Sequence, residues 1–187
     1  MTPLVRIWLA FSAIGAALIH LAVGASAPLV LGIILVGFGL TELGWGALVL
    51  IRSRLLVPGI VLGAALGPVV VWAAAMSLHS GFGLPAEAVA LPLFPMLIAS
   101  LFNLFLAGSL AVLRRRAAAR EPGSPSPAVA ADPQGWRFLT GLVLAGFLVS
   151  GLTTPALAAT DAGAHAVPHG SHAVPGLDVL DGGHAHH

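Results

Sequence analysis

The chain has no cysteine and no lysine, and only 8% of its 187 residues are charged, against roughly a quarter in a soluble domain. Without cysteine there can be no disulfide, no thiolate metal centre and no haem attached through thioethers, so any metal chemistry must use nitrogen, oxygen or methionine sulfur. Scarce charge combined with 58% hydrophobic residues excludes a soluble domain and places the chain in a bilayer. The missing lysines leave arginine as the only fixed positive charge. Together with the high alanine, glycine, valine and leucine content, this suggests a GC-rich bacterial genome. No motif of a hydrolase, a kinase, a phosphate-cradling loop or a zinc protease is present, and no spacing unites a nucleophile with a base, so an enzyme is not expected.

What is present is distributed asymmetrically. Arg6 precedes the first apolar run, Arg52 and Arg54 lie between the second and third, and Arg114, Arg115, Arg116, Arg120 and Arg137 lie between the fourth and fifth. Positive residues are retained on the cytoplasmic side, so the N-terminus is expected inside and the C-terminus outside a bacterial plasma membrane. The pI of about 9.2 therefore reflects juxtamembrane arginines meeting anionic headgroups, and no nucleic-acid partner is implied.

Five apolar runs of about 20 residues or more predict an all-α membrane bundle of five spans. The first four, at about Leu4 to Val23, Leu29 to Ile51, Leu55 to Leu78 and Val89 to Leu113, make a core over 1–113. Glycine in the second suits close helix approach in lipid, and Pro68 predicts a kink in the third. Residues 114–135, rich in arginine, alanine and proline, read as a cytoplasmic linker. Residues 136–157 form the fifth span and 158–187 an outer tail. The fifth run also has the outline of a secretory signal, with small residues at Ala156 and Ala158, but it is longer than a signal core of about 7 to 15 residues, which favours an uncleaved span. Trp8, Trp45, Trp72 and Trp136 read as interfacial anchors.

Three constellations could carry chemistry. In the tail, His165, His169 and His172 form one cluster and His184, His186 and His187 another, with three aspartates in the same 27 residues (161 to 187). Imidazole clusters suit copper or zinc, whereas a solvated extension with weak, nonspecific affinity is the plain alternative. Secondly, His20, His79, Met76 and Met96 approach the outer ends of their helices and could join as a nitrogen and thioether copper site, although methionine in a helix usually serves packing. A b-type haem on the same two histidines has no other support. Thirdly, Glu42 is the lone carboxylate within an apolar run and lies at nearly the same depth as Asn103. A protonated Glu42 hydrogen-bonded to Asn103 would satisfy both without a charge, and the functional alternative is a proton or cation path.

The four-span core, linker and fifth span, followed by residues 153–163 (Thr-Thr-Pro-Ala-Leu-Ala-Ala-Thr-Asp-Ala-Gly) and Val167-Pro168-His169-Gly170, resemble small multi-pass membrane proteins of actinobacteria with a histidine-rich tail. That likeness carries no activity. The residues themselves point to a protein that binds copper or zinc through its outer tail as a delivery, sensing or accessory factor. The alternative is a non-catalytic subunit packed on a larger respiratory or transport complex, or on further copies of itself.

Overall fold

The computed structural model describes residues 2–52, 57–82, 91–119 and 135–166. Among them are five helices long and apolar enough to cross a membrane, and no strand. Helix α1 spans Pro3–Ser26. Thr2 caps it by accepting the Val5 N–H at 3.4 Å, and Pro3 sits where a missing N–H costs nothing. Pro28 then separates it from α2, Leu29–Arg52. Helix α3, Pro58–Phe82, again opens on a proline and stays helical through Pro68. Helix α4 is Leu93–Ala118, α5 is Gly135–Ala158, and a single turn, α6, covers Asp161–Ala164.

The spans agree with the apolar runs to within a few residues, except that α4 continues beyond Leu113 to Ala118. Hydropathy ends where the bilayer ends, but arginine and alanine are good helix formers, and Arg115 and Arg116 lie favourably in a last turn whose carbonyls carry the negative end of the helix dipole.

Helix α1 is the centre of the bundle: 67% of its apolar window is buried, against 17% for α3 and for α5. It packs along α2, α4 and α5, whereas α3 rests chiefly on α4 and only lightly on α2. The α1/α2 contact is built from small residues seven apart. A methyl group added at Gly32, Gly39 or Gly46 would come within 2.8, 3.0 and 3.0 Å of the carbonyl oxygens of Gly24, Ala17 and Ala10. Those three α1 residues are themselves seven apart, so two antiparallel helices meet backbone to backbone at every second turn, the approach that small residues permit in lipid.

Two apolar clusters fill the interior. One joins Leu9, Ala13, Trp45, Val49, Leu106 and Leu110; the other joins Ile19, Val23, Leu35, Met96, Ala99 and Phe102. Trp45 belongs to the first cluster and Trp72 packs against the second, whereas Trp8 near the start of α1 is half-buried and Trp136 at the start of α5 is 65% exposed.

Candidate functional site

The polar interior lies where the two clusters meet. Glu42 falls between Leu35 and Trp45 along α2, and Asn103 between Phe102 and Leu106 along α4. The partner of Glu42, however, is His20. Its Nδ1 lies 2.8 Å from Glu42 Oε2, with the histidine wholly buried and the glutamate 8% exposed. Both Asn103 side-chain atoms are buried without a hydrogen-bond partner, so the expected Glu42–Asn103 bond does not form.

Side-chain direction explains the difference. With Ala17 opposite Gly39, the α1 residue level with Glu42 is Ile14, and His20 lies six residues, roughly 9 Å, nearer the C-terminal end of α1. Side chains lean towards the N-terminus of their own helix, and these helices run in opposite directions. His20 and Glu42 therefore lean towards each other and close the gap. A carboxylate deep in a bilayer costs at least about 2.5 kcal/mol, and a charge-assisted hydrogen bond from imidazole offsets part of that cost. When the carboxylate is ionised the Nδ1–H donates to it, and Nε2 of a neutral ring remains as an acceptor.

Beyond this bond, each of the five spans contributes buried polar side-chain atoms with no partner among the described residues: His20 Nε2, Glu42 Oε1, Trp72 Nε1, both ends of the Asn103 amide, and Thr153 Oγ1. Glu42 also lines a cleft of about 610 Å³, which opens where α2 and α3 separate. Its α2 wall, Gly37, Phe38, Thr41, Glu42 and Trp45, follows the three- and four-residue spacing of one helix face, and Ala64 faces it from α3.

The copper site expected from His20, His79, Met76 and Met96 is described only in part. His20 is engaged by Glu42, Met96 is fully buried in an apolar cluster, Met76 is half-buried, and the side chain of residue 79 lies outside the described residues. Among the described residues no three histidine, aspartate or glutamate side chains group as a metal centre.

Of the tail histidines, His165 alone is described; His169, His172, His184, His186 and His187 lie outside the described residues. Thr160, itself buried, caps α6 by accepting the Gly163 N–H at 3.2 Å, and α6 folds back against α1 and α5. His165 follows directly. Its Nδ1 lies 2.8 Å from the Asp161 carbonyl oxygen and 3.8 Å from the Asp161 carboxylate, while its side chain is 79% exposed. An Nδ1–H donated to a carbonyl places the lone pair on Nε2, the atom that then faces outward.

The chain was compared with protein-family models, curated proteins and solved structures, and no match was found.

Proposed function

We propose that this five-span membrane protein has its N-terminus inside and its C-terminus outside, and that it binds copper or zinc through the histidine-rich tail as a non-enzymatic delivery, sensing or accessory factor. The observation that carries the reading is His165. Metal-binding histidines commonly donate their second ring nitrogen to a carbonyl or carboxylate, which fixes the tautomer and orients the ligating atom. His165 has that arrangement before any metal arrives, on a turn anchored to the bundle, at the head of a segment holding five more imidazoles. The arginine distribution supports the orientation.

Full-length protein purified in mild detergent without a chelating resin should contain stoichiometric copper or zinc, measured by elemental analysis. Only neutral imidazole binds metal, and free imidazole titrates near pH 6.5, so the metal should be held at neutral pH and released as pH falls towards about 5. Replacing His165, His169 and His172 together with alanine should abolish loading. Metal-free protein that purifies with a larger membrane complex would instead support the accessory-subunit reading. That alternative draws on the light packing of α3 against α2, which leaves room for a partner helix.

A further inference from the structure

We infer that the cleft between α2 and α3 binds a lipophilic monovalent cation, of the class of quaternary ammonium ions and protonated lipophilic amines, with Glu42 as its counter-charge. This site is separate from the tail, and neither reading depends on the other. The walls are almost wholly apolar, which suits a ligand that enters from lipid. Glu42 is the only carboxylate in the five spans and one of the residues lining the cleft. It is more than nine-tenths buried; His20 holds Oε2, and Oε1 has no partner. When the carboxylate is ionised and the imidazole neutral, the pair carries one negative charge, which selects a cation over an anion or a neutral lipid.

Two further features of the wall favour positive charge. Phe38 and Trp45 flank Glu42 one turn away on either side along the same face, and aromatic faces attract cations, more strongly where water is excluded. Pro68 has no N–H, so the carbonyl of Ala64 on the opposite wall lacks its usual helical donor. Gly37 keeps the cleft open, for a Cβ built there meets nothing within 4 Å.

The test uses the purified full chain in detergent, with tetraphenylphosphonium as probe and tetraphenylborate as an anion of the same shape. Binding is followed by equilibrium dialysis and by the intrinsic tryptophan fluorescence, to which Trp45 in the cleft wall contributes. The phosphonium should bind saturably, one per chain, and at least about tenfold more weakly to Glu42→Gln. Gly37→Leu, which fills the cleft without touching the His20–Glu42 bond, should weaken it similarly, while the borate should show no such dependence. If Glu42→Gln does not fold, Gly37→Leu and the cation-to-anion ratio still decide the matter. Equal binding of the two ions, or affinity unchanged in the variants, would overturn the proposal and leave the cleft to acyl chains. Gly37→Leu that splits a dimer without affecting phosphonium binding would overturn it too, and assign the cleft to a second copy.

Discussion

His20 and Glu42 tolerate their depth only as a pair. Removing the imidazole leaves the buried Glu42 carboxyl without its donor, and stranding a buried polar group costs about 1–3 kcal/mol, more if it is charged. Glu42→Gln retains an oxygen that can accept the Nδ1–H, so its cost should stay near the about 1 kcal/mol of one neutral hydrogen bond. Thermal unfolding in detergent should therefore rank His20→Ala well below Glu42→Gln, with the double variant His20→Ala/Glu42→Ala more stable than His20→Ala alone. Should His20→Ala melt no lower than Glu42→Gln, the bond contributes nothing to the fold. The sequence shows that Glu42 must face protein, because nothing else accounts for a carboxylate in an apolar run. It does not reveal the partner through depth counting: helical rise gives the level of each Cα, and Asn103 is level with Glu42, whereas the bond depends on two side chains leaning across a difference of several residues. His20 looks solvated when judged by its distance from the helix end, yet α2 and its neighbours cover it completely.

At the scale of the helix, two glycines two residues apart on α2 should behave oppositely. Gly39 abuts Leu21 and the Ala17 carbonyl, and a Cβ there would stand 2.8 Å from the leucine side chain, so Gly39→Leu should force α1 and α2 apart at about 1–3 kcal/mol. Gly37 faces open space, and Gly37→Leu should leave the melting temperature unchanged or slightly raised, since leucine is the better helix former. Equal effects would mean that the close α1/α2 approach is absent. Glycine abundance in the second apolar run does announce a close contact. Which glycines make it becomes clear only when Gly32, Gly39 and Gly46 are set against Ala10, Ala17 and Gly24, because a seven-residue repeat has meaning only with its partner strip. The spans themselves are legible because hydropathy is a property of each segment alone. The end of α4 is less so, since a helix can outlast the membrane that demands it.

For the molecule as a whole, the arginines make the strongest statement. A reporter fused after His187 should be active outside the cell, and one inserted near Ser124 should be active in the cytoplasm. Accessibility of introduced cysteines at these positions, in a chain with none of its own, gives an independent check. The opposite pattern would overturn the orientation and with it the metal reading. Central placement of α1 has a consequence in time. It is synthesised before every helix that surrounds it, and His20 would meet lipid bare if α1 entered the bilayer alone. Its answering carboxylate follows only 22 residues later, across a turn of two residues, Ala27 and Pro28. Biogenesis is thus best served when α1 and α2 leave the insertion machinery as one closed hairpin, its polar pair already joined, and offer α4 and α5 a finished surface on which to assemble.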